Sequence, residues 1–159
     1  MDINDLLRRD LVNFPEEYHP SQPSGGVKLD TNESPWGLPG KIRQKLIRWI
    51  EEGENLNRYP DSGSTALREA IAKFRGVGPE NVICGVGSDQ LIDIVCRVFV
   101  EPGDAVVVQE PTFGMYAVSA VLNHGRAVKV PVGYDIAAAE DIVGTASSEK
   151  AKIIFLCAP

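Results

Sequence analysis

Apolar positions along this chain keep two different rhythms. Between residues 40 and 75 they recur at helical spacing, as Ile42, Leu46, Trp49 and Ile50 and then as Leu67, Ile71 and Phe74. The first set predicts a helix over 40–52 with a buried stripe, ended by Gly53. The second predicts a helix over 64–75 with its apolar side inward, ended by Gly76. From residue 81 onward the apolar residues gather in short runs at 81–86, 105–109, 127–132 and 152–157. Runs of that length, bounded by Gly, Pro or Asn, read as buried strands. Helical patterns fill the intervals: from Asp89 to about Val100, from Phe113 to Leu122 behind a Thr112 cap, and weakly over 137–143. Asn123, His124 and Gly125 end the second of these, and Pro131 gives the third strand a ragged end. Strands alternating with helices predict an α/β fold with a largely parallel sheet and right-handed crossovers.

The stretch 81–100 organises the rest. Its helix is apolar nearly all round, with Leu91, Ile92, Ile94, Val95, Val98 and Phe99, and its one polar stripe is Asp89, Asp93, Arg97 and Glu101. Such a helix is expected to be mostly buried, with only its start facing outward. Gly85 and Gly87 allow a tight turn and a close approach to a ligand. The amides of Ser88, Asp89 and Gln90 would then form an anion site, most often a phosphate site. The same residues read equally well as a plain helix start, with Ser88 as the cap and Asp89 favouring the dipole. An Asp carboxylate beside a phosphate is repulsive, so contact from Asp89 is expected through its amide alone.

Before residue 40 the chain is rich in proline and glycine. A short helix over about 3–12 is expected to open an otherwise irregular arm that needs another surface to hold it. With 159 residues and 43% apolar composition the chain is long enough for one core. Sixteen basic against 22 acidic residues, with no basic run, argue against nucleic acid or an anionic membrane as partner. Cys84, Cys96 and Cys157 are odd in number and lie in apolar runs, as reduced core cysteines of a cytoplasmic protein do. The acidic start MDINDLLRRD is not a signal peptide, and no run reaches the length of a membrane span. The last apolar run, Ile153 to Leu156, stops just short of Pro159, where ligand loops of an α/β sheet begin, so the sequence is expected to be the first part of a longer protein.

Several chemistries can be weighed directly. Gly85-x-Gly87 after a strand, with Glu110 ending the next, sketches a dinucleotide site, but Gln90 replaces the third glycine of that fingerprint. His19 and His124 stand far apart without a ligand cluster, which argues against zinc. No nucleophile elbow and no P-loop lysine are present.

Four short motifs then combine. Asn32-Glu33-Ser34-Pro35-Trp36-Gly37, Arg58-Tyr59-Pro60-Asp61, Gly87-Ser88-Asp89-Gln90 and Pro111-Thr112-Phe113-Gly114-Met115-Tyr116 occur in the order and context of one family. From about residue 28 to Pro159 the chain resembles the N-terminal part of the histidinol-phosphate aminotransferases, pyridoxal-phosphate enzymes of the aspartate aminotransferase fold. Ser34 stands where that family often has Asn, and Gln90 where it often has Glu.

The resemblance implies pyridoxal 5'-phosphate as cofactor. It would place the phosphate on the amides of Ser88 and Asp89 after Gly87, and the ring against Phe113, where Tyr is common in the family. It implies a homodimer in which Tyr59 reaches the cofactor phosphate of the other subunit. Asn32, Glu33 and Gly37 would lie in a loop that lines the substrate pocket. The implied reaction is amino transfer between glutamate or 2-oxoglutarate and imidazole-acetol phosphate or histidinol phosphate, in histidine biosynthesis. Residues 1–37 would form an arm and pocket loop, and 38–159 the first part of the cofactor-binding large domain. The lysine that carries the cofactor, the carboxylate for its ring nitrogen and the arginine for the substrate carboxylate have no matching position here, Lys150 and Lys152 included. No catalytic residue is therefore expected within 1–159, and these residues alone are expected to be inactive. Two rival readings are a threonine-phosphate decarboxylase of the same fold and a nucleotide-binding α/β module without catalysis.

Overall fold

The computed structural model describes residues 3–11, 25, 27–29, 31–53, 56–132 and 137–158. They form two compact units, one of residues 85–158 with 3–11, the other of the described residues between 25 and 84. Residues 12–24 of the proline-rich arm lie outside the described residues.

The first unit is built on one strand. β1 (Ala105–Glu110) lies between β2 (Arg126–Pro131) and β3 (Ile153–Phe155) and is parallel to both. Ala105 stands opposite Arg126, Glu110 opposite Pro131, and Val106 opposite Ile153. Helices α3 (Gly87–Phe99), α4 (Met115–Leu122) and α5 (Ala137–Ser148) accompany the sheet. Side chains alternate across a strand, so β1 meets two different cores. Val106 and Val108 pack with Ala120 of α4, with Tyr116 and Phe155 alongside; Val107 packs with Val130 and with Ile142 of α5. Both faces are covered, which is why the β1 sequence is apolar without alternation.

Turn chemistry fixes how α4 returns to the sheet. His124 takes φ +66° and donates its N–H to the Val121 carbonyl at 3.0 Å, and the Gly125 N–H reaches the Ala120 carbonyl at 2.9 Å. This is a Schellman ending, with histidine in the left-handed position usually given to glycine. The glycine is needed one residue later. A Cβ on Gly125 would lie 2.7 Å from Val100 Cγ1 and 3.1 Å from the Ala120 carbonyl oxygen. Arg8 adds a cation at the same helix end, donating to the carbonyls of Leu122 at 2.9 Å and Val121 at 3.4 Å.

The second unit carries α1 (Gly40–Glu51) and α2 (Thr65–Arg75), followed by a 3-10 turn at Pro79–Asn81. Gly76, at φ +70°, stops α2 as its sequence position predicts. Arg68 ties α2 to the chain that follows, its Nε donating to the Val82 carbonyl at 2.8 Å and its Nη2 to the Pro79 carbonyl at 2.6 Å. At the other end, Asp61 accepts from the amides of Gly63 at 2.9 Å and Thr65 at 2.7 Å, and so caps α2 from four residues before its first residue.

Several expectations are corrected. The run 81–86 is not a strand: Asn81 closes the 3-10 turn, and Val82 is extended without a ladder partner among the described residues. A strand is a property of a pair, and the periodicity of one segment cannot supply the other. The arm opens not with a helix but with two 3-10 turns, Ile3–Leu6 and Arg9–Leu11, on either side of the Arg8 anchor. α3 buries only Ile92 and Cys96, while Val95, Val98 and Phe99 are exposed. In α1 no residue is buried, so the Ile42, Leu46, Trp49 and Ile50 stripe lies open. In α2 only Ala72 is buried, with Leu67 and Phe74 exposed. Thr112 does not cap α4, which begins after Gly114; its hydroxyl oxygen is buried without a partner. The last helix runs longer than expected, and the last strand is shorter.

Gly125→Ala is expected to destabilise the protein by about 1–3 kcal/mol, because Val100 or the turn must give way. Equilibrium denaturation in urea checks this, and an unchanged midpoint would contradict the crowding. A second expectation concerns Asp61. Hydrogen bonds from the Thr65 amide, the Thr65 hydroxyl and the Gly63 amide hold its carboxyl below the ordinary 3.8. Because the folded value is the lower one, this stabilisation is complete above the unfolded value and is lost as pH falls through the folded one. NMR titration of the Asp61 carboxyl is expected to show a midpoint under 3.8; a midpoint above it would remove the capping role.

Candidate functional site

The start of α3 is shaped by two glycines for different reasons. Gly87 has φ +76° with open space around it, so its requirement is conformational. Gly85 is crowded instead: a Cβ there would lie 2.9 Å from both Gln90 Oε1 and Leu91 Cδ2. Part of that crowding comes from the Gln90 side chain folding back, so that its Oε1 accepts from the Val86 N–H at 2.6 Å. Val86 is the N-cap residue.

This arrangement sorts the free amides. The first N–H groups of a helix lack intrahelical acceptors, and Gln90 satisfies the outermost of them. The amides of Gly87, Ser88 and Asp89 remain, on an exposed turn and without a protein acceptor among the described residues. The Gln90 amide, expected in the same set, belongs to the fourth residue of α3. Ser88 is the second residue within the helix, not its cap, so the plain capping reading does not describe it. Unpaired N–H groups at the positive end of a helix dipole form an anion site.

A second group of residues gathers at the carboxyl ends of β1 and β3, where open α/β sheets receive ligands. Phe113 follows β1 in the turn before α4 and is half-buried. It meets Tyr116 edge-on, with centroids 5.8 Å apart and an angle of 87°. Tyr116 in turn stacks on Phe155 at 4.7 Å and 12°. Burial pushes the Tyr116 phenol above its ordinary value, and Cys157 adds to this by its charge and by accepting the hydroxyl proton in a hydrogen bond. Gln109 Nε2 donates to the Cys157 carbonyl at 2.8 Å, tying the ends of the two strands together. Glu110, the ribose candidate of a dinucleotide site, lies 3.7 Å from Lys129 Nζ. Thr112 and Glu110 border a cavity of about 70 Å³, room enough for water to reach the unpartnered Thr112 hydroxyl.

The remaining candidates belong to the second unit. Tyr59 is fully exposed on the loop before α2. Asn32 takes φ +50°, Glu33 lies 3.4 Å from Lys28 Nζ, and Gly37 is exposed. Lys28 also bonds the Thr31 hydroxyl, and the Trp36 amide donates to the Ser34 hydroxyl at 3.3 Å. The first unit therefore carries Gly87, Ser88, Asp89 and Phe113, and the second carries Tyr59, Asn32, Glu33 and Gly37. Sequence reasoning passed over Gln109, Tyr116 and Cys157. Gln109 was visible as a polar residue ending an apolar run, and Tyr116 stands three residues from Phe113 at the spacing of one helical turn.

Comparison with known proteins gives these features a context. Residues 24–159 match the family described as aminotransferase class I and II. The histidinol-phosphate aminotransferase of Ruminiclostridium cellulolyticum is 41% identical over 160 residues, covering 99% of this chain and 44% of that protein. The crystal structure of histidinol-phosphate aminotransferase from Sinorhizobium meliloti, in complex with pyridoxal-5'-phosphate, matches with a TM-score of 0.70 at 25% identity, over 79% of this chain and 33% of that one. The aspartate aminotransferase of Thermotoga maritima, 21% identical, shares the fold at a TM-score of 0.60, over 77% of this chain and 43% of that one. The chain spans less than half the length of each of these proteins. The parallel sheet and its helices are part of an aspartate-aminotransferase-like fold, and the chain belongs to the class I and II aminotransferase family.

Proposed function

We propose that this chain contributes the phosphate cradle and ring platform of a pyridoxal-phosphate-dependent histidinol-phosphate aminotransferase. The observation that carries the reading is the α3 start, where a left-handed Gly87 leaves the amides of Gly87, Ser88 and Asp89 without acceptors. The residues present fit the cofactor. The amides of Gly87, Ser88 and Asp89 at the positive end of the α3 dipole would receive its phosphate, and Phe113 would offer an aromatic face to its ring. When bound, pyridoxal phosphate supplies an electron sink for bond breaking at the α-carbon of an amino acid. The chain's own part is to hold and orient: the α3 amides anchor the phosphate, and Phe113 fixes the plane of the ring. No residue of 1–159 is assigned the proton transfers.

The substrate reading is supported by the 41% identity to a histidinol-phosphate aminotransferase over nearly the whole chain. It assigns glutamate and 2-oxoglutarate, with histidinol phosphate and imidazole-acetol phosphate, as the exchanging pairs, and Asn32, Glu33 and Gly37 to the pocket loop. Residues 1–37 act as arm and pocket loop, and 38–159 as part of the cofactor-binding domain. A cytoplasmic homodimer completes the reading, with Tyr59 directed to the phosphate of the second subunit; the full exposure of Tyr59 and the three free cysteines are consistent with this. Among the described residues no helix is long and apolar enough to cross a membrane. The direct test is an assay of the full-length protein with histidinol phosphate and 2-oxoglutarate. Turnover supports the reading, whereas decarboxylation of threonine phosphate in its place would overturn the substrate.

Gly87→Val in the full-length protein is expected to weaken pyridoxal-phosphate binding by about 10-fold or more, since a β-branched residue is strained at that backbone angle by roughly 1–3 kcal/mol. Asp89→Asn keeps the amide and is expected to weaken binding far less. Titration of the apoprotein with cofactor checks both, and the reverse ranking would sink the amide cradle. Tyr59→Phe is expected to weaken binding by an amount corresponding to roughly 1.5–3 kcal/mol, the scale of a hydrogen bond to a charged group. A monomeric protein with undiminished affinity would contradict the shared site.

A further inference from the structure

Phe113 sits in the turn between β1 and α4, outside any helix or strand. Ladder and helix hydrogen bonds therefore do not set the angle of its ring, and side-chain packing must do so. Tyr116 meets that ring nearly at right angles, 5.8 Å between centroids. We propose that Tyr116 is a positioning residue that sets the plane of Phe113 and so the tilt of the cofactor ring. The inference rests on the reading of Phe113 as that ring's stacking partner.

Tyr116 is suited to this because it is itself held on three sides. Its opposite partner is Phe155 on β3, stacked at 4.7 Å and 12°. Both rings pack on the Val106, Val108 and Ala120 core. Cys157 lies beside its hydroxyl, and the Cys157 carbonyl is held in turn by Gln109 at the end of β1. Tyr116 also stands in the first turn of α4, so its backbone is fixed by the helix. Rigidity thus passes from a buried strand to Tyr116 and from Tyr116 to a ring on a turn. An edge-to-face contact has a preferred angle, which a merely apolar neighbour would not impose.

The test is a double-mutant cycle in the full-length protein, read by titration of the apoprotein with pyridoxal phosphate and by visible circular dichroism of the bound cofactor. Phe113→Leu and Tyr116→Leu are each expected to weaken binding by about 2- to 10-fold, the scale of one aromatic pair. The double variant is expected to bind no more weakly than Phe113→Leu alone, because Tyr116 acts only through that ring. Tyr116→Phe keeps the ring contact and is expected to retain the dichroic band and to bind within about 2-fold of the parent. Losses that multiply in the double variant would overturn the inference, as would a large loss in Tyr116→Phe, which would mean a direct hydroxyl contact. If Tyr116→Leu weakens nothing while Phe113→Leu does, positioning fails and stacking stands; if Phe113→Leu weakens nothing, the stacking reading fails first. Should Tyr116→Leu not fold, Phe155→Leu takes its place in the same cycle, removing the support behind Tyr116.

Discussion

Everything in the first unit depends on β1 being buried on both faces. Val106, Val107 and Val108 have no exposed surface, and they point alternately to α4 and to α5. A strand so enclosed cannot shift register by one residue without exchanging its two cores. With the register fixed, the strand ends are fixed as well: Gln109 and Glu110 on β1, and Phe155 then Cys157 at the end of β3. Placing Phe113 three residues beyond the end of β1 puts an aromatic ring on the rim of the sheet, just before a helix whose far end is locked by the His124 turn and by Arg8. Burial of three valines thus decides where a ring on a turn can stand.

What was legible in the sequence follows from how local each signal is. The run 105–109 and the helices beginning near Asp89 and Gly40 were readable because their period lies within the segment itself. The same holds for the stop at Gly76 and the ending at Asn123, His124 and Gly125, where backbone angle and turn bonding are set by neighbours in the chain. Long-range signals failed. The segment 81–86 has the composition of a strand, but pairing needs a second segment, and nothing in its own residues names one. The start of α3 was half-readable. The glycines pointed to the turn, but Gln90 bonding the Val86 amide, which decides which amides stay available, required coordinates.

The second unit shows the limit of amphipathic pattern most clearly. Ile42, Leu46, Trp49 and Ile50 fall on one side of α1, and Leu67 and Phe74 on one side of α2, yet each is at least 44% exposed. A helical stripe of large apolar residues records that one face was selected for burial; it does not say against what. The local devices of this unit are complete without it. Asp61 caps α2, Gly76 ends it, and Arg68 binds the carbonyls that follow. Elements can therefore be well specified one by one while their packing surfaces are left to other parts of the structure.

Asp89 joins these themes of local stability and ligand binding. As the third residue of α3 its carboxylate lies close to the positive end of the helix dipole, a placement worth about 0.3–1 kcal/mol to an exposed helix. The same charge opposes any phosphate brought to the neighbouring amides. The two effects act in different states: the first holds the helix start in order when no ligand is bound, and the second is felt only when one arrives. Exposure limits the conflict, because water screens the Asp89 side chain while the amides would meet a phosphate at hydrogen-bond distance, where screening is least effective. A cradle of backbone donors can thus keep an acidic side chain in its rim, since the groups that bind and the group that repels differ in their distance from the bound charge.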